Sequence, residues 1–145
     1  MKKAGISGLY AVTPELADTG RLAALVRAAL EGGCRWVQYR AKSGDAALRR
    51  EQALELRRLT AQWAARLIVN DDVALALEVG ADGAHVGQAD LPAAEARKLL
   101  GPERILGVTC HDRLDLAEQA ERSGADYVAF GSFFPFESIK SLNSL

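Results

Sequence analysis

Three polar side chains alternate along one short segment of the sequence, at Gln38, Arg40 and Lys42. Alternate residues of an extended strand leave the same face, so these three side chains would point the same way. A guanidinium, an ammonium and an amide group together suit a bound polyanion, because arginine offers a planar fork and lysine a mobile point charge. The alternative is a strand that runs out into a solvated basic loop, and the local pattern leaves both interpretations open.

Carboxylates follow two later apolar runs. Asn70, Asp71 and Asp72 come directly after the first of these runs, and Asp90 follows the second. One aspartate at each place could simply cap the next helix, which for Asp90 would be the helix that starts near Pro92. A second interpretation is a Mg²⁺ site, since Mg²⁺ prefers one or two carboxylates together with substrate phosphate and water. Neighbouring parallel strands end beside each other, which would bring Asp90 next to Asp71.

Four other residues could take part in chemistry. Thr109 ends a predicted strand, and its hydroxyl could bind a substrate, cap a helix or face a neighbouring strand. His85 lies inside a strand, which favours a packed, hydrogen-bonded histidine. His111 lies in a loop where no other residue defines its role. Cys110 has no evident base partner, and we interpret it as structural.

Apolar runs of strand length alternate with amphipathic helical stretches. Strands are predicted at 8–12, 35–40, 67–70, 83–86, 105–109 and 127–130, and helices at 22–31, 46–65, 73–79, 92–100 and 114–122. The segments 80–86 and 124–130 resemble each other, as repeated βα units would.

Six βα units are compatible with a doubly wound open sheet or with a (β/α)₈ barrel. The first strand is followed by Thr13 and Pro14 rather than by a glycine-rich phosphate loop, which argues against the open sheet. Polar residues instead recur where strands end, and barrel enzymes build their sites there. We therefore predict a TIM barrel of which this chain contains about six βα units.

The composition narrows the possible partners. The chain has 145 residues, a formal net charge of -1 and two cysteines. This charge balance gives no reason to expect nucleic acid or an anionic membrane as a partner. No apolar run approaches the roughly 20 residues that span a bilayer. Two isolated cysteines are typical of reduced thiols in a cytoplasmic protein, where we expect this chain to act on small molecules.

Several segments resemble thiamine-phosphate synthases, in the same order. They are 9–13 (LYAVT), 37–42 (VQYRAK), 67–71 (LIVND), 80–92 (GADGAHVGQADLP), 107–109 (GVT) and 125–131 (ADYVAFG). The resemblance covers about residues 8–135. It implies a Mg²⁺-dependent transferase that joins hydroxymethylpyrimidine diphosphate to thiazole phosphate, giving thiamine phosphate and diphosphate.

The resemblance also implies roles for individual residues. The pyrimidine diphosphate would be bound by Gln38, Arg40, Lys42 and Asn70, with Thr109 in contact with the pyrimidine. Asp71 and Asp90 would hold Mg²⁺. Arg40 and Lys42 would be catalytic, because they neutralise the departing diphosphate.

The segment 136–145 departs from the family pattern, in which a Thr-x-Thr-Lys loop binds the thiazole phosphate and diphosphate. Ser138 stands where a threonine belongs, and Lys140 comes one position late. We expect one incomplete barrel domain over 1–145, truncated or altered after about Pro135. Unpaired strand edges would favour self-association. Two alternatives stay open: a thiazole tautomerase on the same barrel, and a non-catalytic remnant that binds diphosphate.

Overall fold

The computed structural model describes residues 5–42 and 45–131, in which six strands alternate with five helices. The strands are β1 (Tyr10–Val12), β2 (Trp36–Tyr39), β3 (Arg66–Asn70), β4 (Gly83–Val86), β5 (Ile105–Thr109) and β6 (Tyr127–Ala129). The helices are α1 (Thr19–Glu31), α2 (Ala46–Gln62), α3 (Val73–Val79), α4 (Ala93–Leu100) and α5 (Leu114–Arg122). Each predicted element is present. The largest differences are at α1, which starts at Thr19 because Asp18 caps it by accepting from the Arg21 N–H at 3.1 Å, and at α2, which ends at Gln62 rather than at residue 65.

All strand pairs of the described sheet are parallel, and the strands lie side by side in chain order from β1 to β6. A doubly wound sheet would reverse its strand order at a switch point, and this sheet does not. The hydroxyl groups of Tyr10 on β1 and Tyr127 on β6 form a hydrogen bond, although these are the outermost described strands. The sheet is therefore strongly curved, and the predicted barrel architecture is confirmed as a partial (β/α) barrel.

The two faces of the sheet have different environments. The concave face, which we call the lumen, has a floor of Trp36, Ile68 and Ile105. The opposite face packs under the helices through a larger cluster that includes Leu56, Leu67 and Leu106. Because side chains alternate along each strand, the residues two positions beyond this floor also face the lumen.

Among the described residues, no helix is long and apolar enough to cross a membrane.

The repeated Gly-Ala-Asp segments link neighbouring strands in the same way. The Asp82 carboxylate accepts from the Leu67 N–H at 2.8 Å, and the Asp126 carboxylate accepts from the Leu106 N–H at 2.9 Å. An arginine also donates to each carboxylate, Arg57 to Asp82 at 2.7 Å and Arg97 to Asp126 at 2.6 Å. The similarity of 80–86 and 124–130 thus reflects the same hydrogen-bonding arrangement, which occurs once in each segment.

Candidate active site

The carboxyl end of β2 brings a polar side chain into the lumen and then leaves the sheet. Gln38 is buried, and its Nε2 donates to the Tyr10 hydroxyl at 3.0 Å. The next residue, Tyr39, faces the helices, where its hydroxyl donates to Gln52 at 2.6 Å. The predicted alternation is therefore present only as far as Tyr39, and Arg40 and Lys42 follow the strand as exposed residues. The backbone N–H of Arg40 donates to Thr13 Oγ1 at 3.0 Å, which ties this end of β2 to the segment after β1.

The two aspartates after β3 have different roles. Asp72 is the N-cap of α3, because its carboxylate accepts from the Leu75 N–H at 2.9 Å. Asp71 forms an ion pair with Lys42 instead. The Asp72 N–H donates to the Asn70 carbonyl at 2.8 Å, which closes a three-residue turn around Asp71 at φ 67°. A non-glycine residue at positive φ is strained, and such strain is concentrated at functional sites.

Asp90 does not cap α4, so the simpler interpretation of this residue is wrong. Pro92 occupies the N-cap position and provides no side-chain cap. Asp90 instead closes a turn after β4, because its Oδ2 accepts from the Gly87 N–H at 2.8 Å. A Cβ at Gly87 would lie 3.0 Å from that oxygen, so a residue without a side chain suits the position. Gln88 in the same turn donates to the Thr109 carbonyl at 2.7 Å, which holds the turn against the end of β5.

The structure brings Lys42, Asp71 and Asp90 together at the carboxyl ends of β2, β3 and β4. Burial raises the pKa of Asp90, and the neighbouring Asp71 carboxyl raises it further by hydrogen bonding and by charge. The Gly87 N–H and Lys42 act in the opposite direction. Two adjacent carboxylates are a costly arrangement that a cation relieves.

The carboxylate pair suits one kind of metal better than others. In the described residues no group of three or more His, Cys, Asp or Glu side chains could hold an ion. Mg²⁺ takes one or two carboxylates and completes its shell with phosphate oxygens and water. Asp71 and Asp90 therefore have the chemistry that Mg²⁺ requires.

The other two predicted substrate residues end the strands on either side of β4. Asn70 is the last residue of β3 and pairs in register with His85 of β4. Thr109 is the last residue of β5, and its hydroxyl lies 2.7 Å from His85 Nε2. By strand alternation, Asn70 and Thr109 share the lumen face with Gln38. A cavity of about 400 Å³ between the ends of β2 and β3 and the helices includes Lys42, Asn70 and Asp71 in its lining, but Gln38, Asp90 and Thr109 are not among its lining residues.

His85 is buried and hydrogen-bonded on both ring nitrogens, which confirms the interpretation of a packed histidine. Burial lowers its pKa to about 4, while the Asp90 carboxylate opposes this change. The ring is therefore neutral at neutral pH. Cys110 is also buried, which raises its pKa, in agreement with a structural role. His111 is exposed.

Two tyrosines of the lumen were missed by sequence reasoning. Tyr10 and Tyr127 meet edge to face, with ring centroids 5.7 Å apart, and their hydroxyls connect Gln38 to His85. Burial raises the pKa of both phenols. The only signal in the sequence was the position of each tyrosine in a strand. Ser138 and Lys140 lie outside the described residues.

Comparisons with known proteins place this chain in a family. Residues 9–143 match the family described as thiamine monophosphate synthase. A thiamine-phosphate synthase of Thioalkalivibrio sulfidiphilus is 56% identical over 90% of this chain and 62% of the relative, and one of Chromobacterium violaceum is 54% identical over 90% and 63%. This chain thus spans about three fifths of the length of these curated relatives. A solved structure of a thiamine phosphate pyrophosphorylase from Pyrococcus furiosus superposes with a TM-score of 0.76 and 37% identity, covering 88% of this chain and 61% of that one. This chain belongs to the thiamine monophosphate synthase family.

Proposed function

We propose that this protein is a thiamine-phosphate synthase, which transfers a pyrimidinylmethyl group from its diphosphate to the nitrogen of a thiazole phosphate. The observation that carries the proposal is the meeting of Asp71, Asp90 and Lys42 at one edge of the lumen. Two carboxylates and an ammonium group suit a metal–diphosphate complex. The comparisons support the same substrates, since the matched relatives carry that name.

In this proposal Asp71 and Asp90 hold Mg²⁺, which would neutralise charge on the diphosphate oxygens when bound. Gln38 and Thr109 face the lumen and would orient the pyrimidine, with Asn70 beside the diphosphate. Arg40 and Lys42 would add cationic groups on the diphosphate side. The Lys42–Asp71 ion pair would hold the ammonium group close to where the diphosphate binds.

The reaction then needs charge stabilisation more than a protein nucleophile. The bond between the pyrimidine methylene carbon and the diphosphate oxygen breaks, and its electron pair leaves with the diphosphate. The lone pair of the thiazole nitrogen forms the new carbon–nitrogen bond and completes thiamine phosphate. Arg40 and Lys42 would stabilise the negative charge that develops on the leaving group. Loss of one such contact is expected to cost on the order of 3 kcal/mol in the transition state.

Ser138 and Lys140 are the residues we propose for the thiazole phosphate and diphosphate. A cytoplasmic location is supported by two buried, unpaired cysteines, Cys34 and Cys110. Self-association is supported by exposed apolar side chains along β1 and α1, among them Val12 and Leu25.

A turnover assay tests the proposal against its two alternatives. The protein is incubated with both substrates, with and without Mg²⁺, and thiamine phosphate and diphosphate are quantified. We expect Mg²⁺-dependent product that Asp71→Asn and Asp90→Asn abolish. Asp72→Asn is the matched control, because asparagine is as good an N-cap as aspartate. Metal-independent isomerisation of the thiazole phosphate would favour the tautomerase, and pyrimidine diphosphate binding without turnover would favour the remnant.

A further inference from the structure

Five side chains form a continuous hydrogen-bonded chain across the lumen, which we call the lumen network. It runs from Gln38 Nε2 to the Tyr10 hydroxyl at 3.0 Å, and from there to the Tyr127 hydroxyl. Tyr127 lies 2.9 Å from His85 Nδ1, and His85 Nε2 lies 2.7 Å from Thr109 Oγ1. The two ends of the network, Gln38 and Thr109, are proposed pyrimidine-binding residues. Tyr10, Tyr127 and His85 connect these two ends in that order.

A continuous series of donors through this network can run in only two directions. Each hydroxyl has one proton to donate, and a neutral imidazole donates through one nitrogen and accepts through the other. For every contact of the network to be a hydrogen bond and each of its three central members to donate once within it, all members must donate in the same direction. The direction also determines what the two ends can offer a ligand, because a proton used within the network is no longer available outside it.

The amide of Gln38 selects between the two directions. Its NH₂ group donates to the Tyr10 hydroxyl at 3.0 Å, which turns the amide oxygen away from Tyr10. Among the described residues, the Tyr10 proton then has the Tyr127 hydroxyl as its acceptor, and the Tyr127 proton has His85 Nδ1. The proton of the His85 ring is therefore on Nε2 and is donated to Thr109.

We propose that Tyr10, Tyr127 and His85 are positioning residues that make Thr109 a hydrogen-bond donor and the Gln38 carbonyl an acceptor toward the bound substrate. Within residues 5–42 and 45–131, neither the Thr109 proton nor the Gln38 amide oxygen has another partner. A donor and an acceptor at opposite ends of the network complement a heteroaromatic ring with an acceptor nitrogen and an exocyclic amino group. An aminopyrimidine has both features.

The backbone reserves space for the central tyrosine. A Cβ at Gly107 would overlap the Tyr127 ring, so only glycine at this position of β5 lets the ring lie there. On the other side the Tyr10 ring is stacked on Trp36, with centroids 6.4 Å apart and planes 7° apart. Both phenol groups are thus held by packing as well as by hydrogen bonds. The network has a defined geometry before any ligand binds.

This inference rests on the proposed function for the identity of the ligand, but the proton order can be measured without any ligand. Long-range ¹H–¹⁵N spectra of protein labelled at histidine distinguish the two tautomers, and His111→Gln assigns the two signals. We expect His85 to carry its proton on Nε2 in the wild-type chain at neutral pH. A proton on Nδ1 would overturn the inference, whatever reaction the protein catalyses.

A binding experiment tests the consequence for the ligand. Tyr127→Phe keeps the ring but removes the donor to His85 Nδ1. We expect a mixture of tautomers and about tenfold weaker binding of the pyrimidine diphosphate, with Mg²⁺–diphosphate binding changed less than twofold. Tyr39→Phe is the matched control, because it removes a buried tyrosine hydroxyl on the helix side of the sheet. It should leave tautomer and affinity unchanged.

The outcomes separate this inference from the proposed function. Unchanged tautomer and affinity in Tyr127→Phe would overturn the positioning role. An equal loss of affinity in Tyr39→Phe would also overturn the positioning role, because the loss would then come from destabilisation of the fold and not from the lumen network. If the wild type binds Mg²⁺–diphosphate but not the pyrimidine compound, the proposed function fails, and with it the ligand assigned to the network.

Discussion

Asp71 and Asp72 are adjacent in the chain, yet their carboxylates serve different purposes. Asp72 caps α3 through the Leu75 N–H, whereas Asp71 turns away from the helix to Lys42 and Asp90. The turn that separates them holds Asp71 at φ 67°. A helix cap alone would explain one aspartate at this strand end. The second is kept in a strained conformation beside another carboxylate, which is the arrangement expected of a cation site.

The strain at Asp71 leads to a prediction about stability. Asparagine tolerates positive φ better than other residues with a side chain, whereas alanine at such a position costs about 1 kcal/mol. We expect Asp71→Asn to leave the free energy of unfolding nearly unchanged and Asp71→Ala to lower it by about 1 kcal/mol. Urea unfolding of the two variants measures the difference. Equal stabilities would show that the backbone at residue 71 is relaxed.

The Gly-Ala-Asp segments lead to a second prediction. Removing the Asp82 carboxylate leaves the Leu67 N–H without its acceptor and Arg57 without its partner. We expect Asp82→Ala to lower the free energy of unfolding by about 2 kcal/mol. Asp126→Ala should lower the free energy of unfolding by a similar amount, because Asp126 makes the corresponding contacts with Leu106 and Arg97. Asp115→Ala, which breaks the exposed ion pair with Arg113, should change stability little. Equal effects in all three variants would contradict this assignment.

The buried His85 leads to a prediction about pH. Its pKa is lowered to about 4 in the folded chain, against an ordinary value of 6.5. Between these values the unfolded chain binds more protons, so stability falls as the pH falls from 6.5 to 4. The expected contribution is about 3 kcal/mol over that window. Asp90, the charged group that faces His85, opposes the shift.

Unfolding in urea at pH 7, 5.5 and 4 tests this contribution. Carboxylates also titrate in this range, so the wild type must be compared with His85→Gln. Between pH 7 and pH 4, the free energy of unfolding of His85→Gln should fall by about 3 kcal/mol less than that of the wild type. Parallel pH profiles would show that His85 is not the cause.

The contact between Gly107 and Tyr127 leads to a further prediction. A methyl group at residue 107 would overlap the tyrosine ring, so Gly107→Ala must displace the ring. Overpacking of this kind costs about 1–3 kcal/mol. The variant should also shift the ¹⁵N signals of His85, because Tyr127 would leave its Nδ1. Gly5→Ala is a suitable control, since an added Cβ there meets nothing within 4 Å.

Much of the candidate site could be predicted from the sequence because neighbouring parallel strands end together. Asp71 and Asp90 follow successive strands, so their proximity needed only the strand assignment and the parallel topology. The sequence did not show which of Asp71 and Asp72 caps α3, because that depends on one turn. It also did not show that Asp90 forms a turn with Gly87, since a proline-started helix would accept a cap at the same place.

The lumen network could not be predicted in the same way. Tyr10 and Tyr127 are 117 residues apart and lie on strands that are not neighbours in the sheet. Their contact depends on the curvature of the whole sheet, which no local pattern encodes. The role of Gly107 depends on the same contact. A tyrosine in a strand looks the same in sequence whether it faces the lumen or the helices, as Tyr127 and Tyr39 do.

Calorimetric titration of the pyrimidine diphosphate into this chain, with and without Mg²⁺, tests whether Asp71 and Asp90 form a metal–diphosphate site. We expect binding that requires Mg²⁺ and that Asp71→Asn and Asp90→Asn each weaken by at least tenfold. Asp72→Asn should bind like the wild type. Equal affinity without Mg²⁺, or an equal loss of affinity in Asp72→Asn, would contradict a metal–diphosphate site at Asp71 and Asp90.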